Sequence, residues 1–456
     1  MYRLGGFYVA RVLRYAFECV KINYGSQNSR NFSNRFNILL APTLFLTSIS
    51  ISLSEMNREQ EKDIDLKILI KGLSAFLEED QIETTAEECA SRGKPWSSYH
   101  KCDRDPEVIL YPRSTKNVSD ILSFCNRYKF PIIPFGGGTS IEGQTLALQG
   151  GVSLDFSQMK NIISFNEQDL DCVVEAGLGY VELNEYLADK GLWFPLDPGP
   201  GACVGGMCAC RCSGSTALRY GSMRENVLYV TAVLADGTII KTGSRARKSS
   251  AGYDITRLLV GSEGTLAVIT EACLKLHTIP KVSYALRVSF PSVGEASLAA
   301  RECLVEVGIG SVGRIEMLDD AMVKIVNSSN SSMDPWPEDT TLLIEVTGPT
   351  EPAVTDQLHR VREIAKRHRG DRAVVATSVE ECKRLWMARK ECLWSAMGTY
   401  PDRQPMITDV CVPLSQLPEI ITRTKAELAK SNPPLPAPIV AHAGKDMDRC
   451  ARMFCS

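Results

Sequence analysis

The chain lacks several signals that would assign it to a common class, and each absence excludes something. None of the glycine-rich turns between Pro131 and Pro280 is a Gly-x-Gly-x-x-Gly fingerprint after a strand-like run, so none reads as the dinucleotide-binding turn of a Rossmann fold. The formal net charge is only −3, from 51 basic and 54 acidic residues, so no global basic field marks a nucleic-acid partner. Histidine is scarce: His100, His277, His359, His368 and His442 are the whole supply. No internal repeat is visible. The apolar run Ile38 to Leu53 contains Pro42 and several hydroxyl residues, and it is short for the ~20 residues of a bilayer span. Cysteine is not scarce, with 16 residues, but these are scattered through 456 positions, far more than a disulfide-stapled mini-domain has. They read as mostly reduced, buried small hydrophobes.

Acidic residues are nearly missing from the start of the chain. Only Glu18 precedes Glu55, whereas Arg3, Arg11, Arg14, Lys21, Arg30 and Arg35 recur and Ser and Asn crowd the stretch from Ser26 to Asn37. Residues 1–54 therefore read as a mitochondrial targeting segment. Its apolar run is either an inner-membrane sorting element or the apolar end of the presequence, which leaves inner-membrane association open. Residues 55–104 form a lead-in, with a surface helix expected over Glu55 to Glu88 from the spacing of Ile64, Leu66, Ile68, Leu69, Leu73, Phe76 and Leu77.

The stretch from Pro131 to Pro280 has three glycine-rich turns between β-branched apolar runs. Glycine permits positive φ and close backbone approach to a ligand, and successive N–H groups in such turns form anion sites. Three of them suggest a long ligand carrying a pyrophosphate. Val108 to Tyr111 reads as a strand, Asn117 to Tyr128 as a helix and Pro131 to Pro134 as a buried strand, a parallel right-handed unit. Asp236-Gly237 marks a hairpin. From Lys281 the texture changes to strands (Val282 to Phe290, Gly313 to Leu318, Thr340 to Val346) alternating with helices (Gly294 to Val307, Asp319 to Asn327, Glu351 to Arg369), a second α+β layer.

The order of the central motifs resembles the vanillyl-alcohol-oxidase superfamily of FAD enzymes, with a p-cresol-methylhydroxylase-type FAD domain. Phe135-Gly136-Gly137-Gly138-Thr139-Ser140-Ile141-Glu142-Gly143 is similar to the family's first flavin-pyrophosphate loop. Asp197-Pro198-Gly199-Pro200-Gly201, Gly205-Gly206-Met207, Ser213-Gly214, Tyr220-Gly221, Arg247-Lys248-Ser249 and Gly261-Ser262-Glu263-Gly264-Thr265 follow in the family's order. The resemblance spans roughly residues 88 to 444. It implies an α+β fold: a two-subdomain FAD-binding domain over 105–281, then an incomplete ferredoxin-like substrate cap over 282–444. Residues 445–456 are read as a tail outside the family pattern. The implied cofactor residues are Phe135, Gly136, Gly137, Gly138, Thr139, Ser140, Gly143, Pro198, Gly199, Gly205, Gly206, Ser213, Gly214, Tyr220, Gly221, Glu263, Gly264 and Ile269.

The resemblance implies that a flavin performs the redox step, so the protein is expected to hold a substrate carboxylate and accept a hydroxyl proton. Arg389, in Leu385-Trp386-Met387-Ala388-Arg389-Lys390, read alone is an exposed helix arginine; the resemblance makes it the carboxylate anchor. His442 ends the apolar run Ile439-Val440-Ala441 and matches the first histidine of the family's His-x-Gly-Asp-Gly-Asn-x-His motif, which makes it the catalytic base or, in the family's full-length form, a ligand to a divalent metal such as Zn or Mn. Lys445-Asp446-Met447-Asp448 replaces the continuation of that motif, and the second histidine is missing. The strand ending at Ala441 is accordingly expected at a sheet edge. Glu316 and Asp409, acids beside apolar strands, are either functional or ion-paired. Cys203, Cys208, Cys210 and Cys212 lack a zinc or cluster spacing; an extended segment would turn the last three to one face.

The resemblance implies FAD-dependent oxidation of a D-2-hydroxy acid, foremost D-lactate to pyruvate, with cytochrome c as acceptor. Alternatives are glycolate, D-2-hydroxyglutarate, or a flavin-binding but inactive form. A fluorescent reporter carrying residues 1–54 is expected to accumulate in mitochondria; a cytosolic or secreted reporter would refute the targeting assignment.

Overall fold

The computed structural model describes residues 66–94, 98–329, 334–444 and 450–455. The expected targeting segment and the first part of the lead-in lie outside the described residues. The continuous lead-in helix is not found. Its apolar spacing closes only one short helix, Leu66–Leu73, and Thr84 and Thr85 then interrupt the pattern before a second helix, Ala86–Gly93.

Among the described residues the first half builds a small mixed sheet from β1 (Ile82–Glu83), β2 (Val108–Leu110), β3 (Ile132–Phe135) and β4 (Val152–Asp155), in the order β1-β2-β4-β3. The helix Thr115–Tyr128 joins β2 to β3. Ser114 caps it by accepting the Asn117 N–H, Lys129 ends it at φ 61°, and Val118, Ile121, Leu122 and Cys125 form its buried stripe. The expected parallel unit forms, but β4 lies between β2 and β3 and is parallel to both. β3 is only half-buried, because Pro134 and Phe135 border a cavity.

The next layer is an antiparallel sheet in the order β5-β6-β10-β8-β9. It comprises β5 (Ile162–Asn166), β6 (Asp171–Glu175), β8 (Val227–Val233), β9 (Ile239–Lys241) and β10 (Val268–Lys275), with β7 (Leu192–Trp193) and β11 (His277–Thr278) paired beside it. Asp236-Gly237 makes the β8–β9 turn as expected, with Gly237 at φ 90°.

The second half is an all-antiparallel sheet in the order β15-β12-β14-β13-β17-β18-β16. Its strands are β12 (Val282–Phe290), β13 (Val312–Leu318), β14 (Thr340–Gly348), β15 (Asp371–Ala376), β16 (Met406–Cys411), β17 (Ile439–His442) and β18 (Cys450–Cys455). Successive strand residues face opposite sides. Ile315 and Met317 of β13, with Ile439 and Ala441 of β17, enter a core against the helices Val293–Glu306, Glu351–Arg367 and Leu417–Ala429. Leu318 and Val440 enter a second core, against the helices Asp320–Ser329, Val379–Lys390 and Cys392–Thr399. The cap thus carries helices on both faces of its sheet. β17 is not an edge strand: β13 and β18 flank it, and Cys450–Cys455 of the final segment forms that outer strand.

Asp319 fixes where β17 sits. Its Oδ1 accepts the N–H of Met322 at 2.8 Å and of Ile439 at 3.0 Å, and its Oδ2 accepts Lys425 Nζ at 2.7 Å. Burial pushes its carboxyl up, only partly offset by Lys425. Asp319→Ala leaves two buried N–H donors without an acceptor, so chemical denaturation should show a loss of about 2–4 kcal/mol. An unchanged midpoint would remove this pin from the fold.

Candidate active site

A cavity of about 1530 Å³ lies between the glycine-rich loops and the second face of the cap sheet, larger than the roughly 300–1,000 Å³ of most small-molecule pockets. All cofactor residues expected from the sequence line it except Gly143 and Tyr220. Gly143 turns its loop at φ 84° without facing the cavity. Tyr220 instead packs edge-on against Trp193 at 5.4 Å and His277 at 4.8 Å. His277 Nε2 meets Asn226 Oδ1 at 2.9 Å, and burial pushes its pKa down to about 4, so the ring is a neutral packing element.

The loops meet so closely that only glycine fits. A Cβ at Gly137 would stand 2.0 Å from the Gly201 carbonyl oxygen, and one at Gly136 would stand 2.5 Å from Cys203 Sγ. Gly199 differs: a Cβ there meets nothing within 4 Å and would enter the cavity. The loops present backbone to a long cavity, which suits the pyrophosphate and ring of FAD.

Three charged side chains converge on the cap side. Strand alternation puts Glu316 of β13 and His442 of β17 on one face, and they are register partners. The helix Val379–Lys390, capped by Ser378, lays Arg389 on that face. Glu316 is 0% exposed. Its Oε2 accepts both Nε and Nη2 of Arg389 at 2.8 Å. Its Oε1 accepts Nδ1 of His442 at 2.5 Å. Burial alone would raise the Glu316 carboxyl, but His442 and Arg389 together hold it below the usual carboxylate range. A carboxylate can only accept, so the Nδ1 proton of His442 points at Glu316 and Nε2 is left for the cavity. Arg389 is mostly covered, not exposed on its helix, and Glu316 raises its already high pKa against the opposing effect of burial. Of the two roles open to Glu316, the ion pair is formed, and it joins the two candidate catalytic groups. Asp409 lines the same cavity from β16.

The divalent metal is not supported. Among the described residues no group of three or more His, Cys, Asp or Glu side chains is gathered for a metal, and Nδ1 of His442 is engaged by Glu316. The cysteine segment is not extended either. Val204–Ala209 is a short helix, because Gly205 and Gly206 must pack against the first loop and Ala176, and so Cys208 is fully buried while Cys210 lines the cavity. Burial pushes the Cys203 and Cys210 thiols up, away from a metal-binding thiolate.

Sequence reasoning missed Arg314, Trp386, Asp197 and Lys390 as cavity residues. The available signal was a pair of charges two apart, Arg314 and Glu316, in an otherwise apolar strand: on alternation they share a face.

Comparison with known proteins agrees with this architecture. Residues 106–243 match a family described as FAD binding domain, and residues 279–454 match FAD linked oxidases, C-terminal domain, so the segment after Gly444 lies inside the match as far as residue 454. The chain is 48% identical over 388 residues to the mitochondrial D-lactate dehydrogenase [cytochrome] of Arabidopsis thaliana, covering 85% of this chain and 67% of that protein. It is 43% identical over 358 residues to the Kluyveromyces lactis protein of the same name, covering 76% and 62%. The chain thus spans about two thirds of the length of these relatives. The solved structure of p-cresol methylhydroxylase with substrate bound superposes with a TM-score of 0.67 at 14% identity, covering 86% of this chain and 83% of that one, a likeness of fold. With both family regions in order and 48% identity to the plant protein over 388 residues, the chain belongs to the FAD-linked oxidases, in the family of the mitochondrial D-lactate dehydrogenases of the cytochrome type.

Proposed function

We propose that the chain oxidises a D-2-hydroxy acid, D-lactate to pyruvate, with FAD as cofactor and cytochrome c as the final acceptor, in mitochondria. The observation that carries this reading is the Glu316-bridged pair of Arg389 and His442 facing a cavity walled by the glycine loops. The relatives' names support substrate, acceptor and compartment.

FAD, when bound by the loops around Gly136 to Ser140, Gly199, Gly205 and Glu263-Gly264, supplies the hydride acceptor. The protein's own residues do the rest. Arg389 spends Nε and Nη2 on Glu316, and Nη1 has no partner among the described residues, so one edge is free for a carboxylate. A charge-assisted contact there fixes the hydroxyl-bearing carbon. His442, oriented through Nδ1, takes the hydroxyl proton at Nε2. Glu316 steadies the imidazolium that results, in the manner of the carboxylate in a Ser-His-Asp triad. The low exposure of Arg389 and Glu316 strengthens these contacts. The second reading, a flavin-binding chain without turnover, differs only in rate and is separated by the kinetic test below.

Gly199→Val is expected to lose FAD while keeping the fold, since its side chain enters open cavity space; Gly137→Val should destabilise the domain instead, by driving a side chain into the Gly201 carbonyl. Flavin absorbance and circular dichroism distinguish the two, and a Gly199→Val protein that keeps stoichiometric flavin would refute this cradle. Arg389→Lys cannot hold Glu316 and a substrate carboxylate in one planar fork. Its kcat/KM for D-lactate should fall about thirty- to a hundredfold, the equivalent of roughly 2–3 kcal/mol. Near-unchanged kinetics would take Arg389 out of the site, and absence of flavin reduction by D-lactate in the unmutated holoprotein would favour the binding-only reading.

A further inference from the structure

A second arginine, Arg314, shares the cavity wall with Arg389 but is committed very differently. Both line the cavity, and both side chains are mostly buried, 15% exposed for Arg314 and 14% for Arg389. Arg314 Nε donates to Glu345 Oε2 at 2.9 Å and Nη2 to Glu345 Oε1 at 3.1 Å, a two-pronged pair. Its Nη1 donates to Ser215 Oγ at 3.1 Å and lies 3.7 Å from Asp197 Oδ2. The guanidinium carbon stands 3.9 Å from the centre of the Trp386 ring, so that face is covered as well. Asp197 in turn accepts Ser215 N at 2.9 Å and lies 3.5 Å from Lys390 Nζ. Two cations and two carboxylates cancel, and each arm of Arg314 already has its partner.

The spacing makes this relevant to substrate choice. Arg314 and Glu316 are two residues apart on one face of β13, about 7 Å at the usual strand rise. Trp386 and Arg389 are three apart on the facing helix, one above the other. A 2-hydroxy acid held by the free edge of Arg389 therefore has Arg314, Trp386 and the two carboxylates at the reach of a substituent a few carbons long. A short apolar substituent meets the Trp386 ring there. A second carboxylate meets an arginine whose three nitrogens each already donate, beside Glu345 and Asp197. Arg314 has no uncommitted nitrogen with which to offset the hydration such an anion loses, and the carboxylates of Glu345 and Asp197 repel it.

We infer that the wall formed by Arg314 and Trp386, closed by Glu345 and Asp197, selects 2-hydroxy acids with a single carboxylate and rejects those with a second one. Arg314 looks from composition like a second anchor, but it is a filter and a strut joining cap strand to flavin loop. This inference rests on the 2-hydroxy-acid reading of Arg389.

Titration calorimetry of the FAD-loaded protein with the two oxo-acid products, pyruvate and 2-oxoglutarate, tests it without turnover. Pyruvate should bind the unmutated protein about tenfold or more tightly than 2-oxoglutarate, the scale of discrimination built from one repelled charge. Glu345→Gln keeps the side-chain shape but releases half of the clamp on Arg314, and the ratio of the two dissociation constants should narrow by about fivefold. Equal or tighter binding of 2-oxoglutarate by the unmutated protein would make Arg314 an anchor and overturn the filter while sparing Arg389. An unchanged ratio in Glu345→Gln would also overturn it. Failure of both acids to bind the unmutated protein would overturn the 2-hydroxy-acid reading and the filter together.

Discussion

Glu316 is a carboxylate with no exposed surface, and the cap side of the cavity is arranged to keep it charged. Taking such an ion out of water costs several kcal/mol, which is recovered only if its partners are fixed and well placed. Both oxygens are therefore used, one by Arg389 and one by His442. This requirement reaches well beyond three residues. The helix Val379–Lys390 must lie over the second face of the sheet to deliver Arg389, and β17 must pair with β13 in one register to deliver His442. Asp319, three residues along from Glu316, holds that register through the Ile439 N–H. Removing any one partner would leave a buried charge, so the site is fixed by the same energetics that hold the cap together.

The junction of cap and flavin-binding region follows a related rule with the opposite outcome. Arg314 reaches from β13 to Ser215 and Asp197 on the loops that also border the cofactor cavity. Leu218, from the short helix Ala217–Tyr220, enters the core of the cap. Polar and apolar contacts of the segment from Ser213 to Ser222 thus place Arg314 and the candidate residues of the cap sheet relative to the glycine loops. Arg389 keeps one nitrogen with no partner among the described residues, whereas each nitrogen of Arg314 already donates, so the two arginines of this wall differ in how far they are committed.

Much of the fold was legible because it is local. The cap strand Val282–Phe290 coincides with its expectation to the residue, and the helix Thr115–Tyr128 was foreseen to within two residues, since cap, stripe and stop are contained in neighbouring positions. The glycine loops were legible for the same reason: turn chemistry is short-range. The failures share a cause. The lead-in periodicity is real but too short to sustain a helix over the predicted span. Cys208 and Cys210 follow glycines whose close packing against another loop curls the segment into a helix. β17 was expected at an edge because its outer partner, β18, has little apolar alternation to announce it.

From residue order came the α+β class and the glycine cradle, and the resemblance of its motifs to the FAD-enzyme family added the candidacy of Arg389 and His442, because motif spacing and strand parity are properties of the chain. Tertiary packing decided that Glu316 binds both candidates, that Gly137 faces the neighbouring loop while Gly199 faces the cavity, that His442 is held by a carboxylate rather than gathered into a metal cluster, and that Arg314 is saturated. Each of these depends on distances between residues far apart in sequence, and a buried charge acquires its role only when folding shows which partner neutralises it.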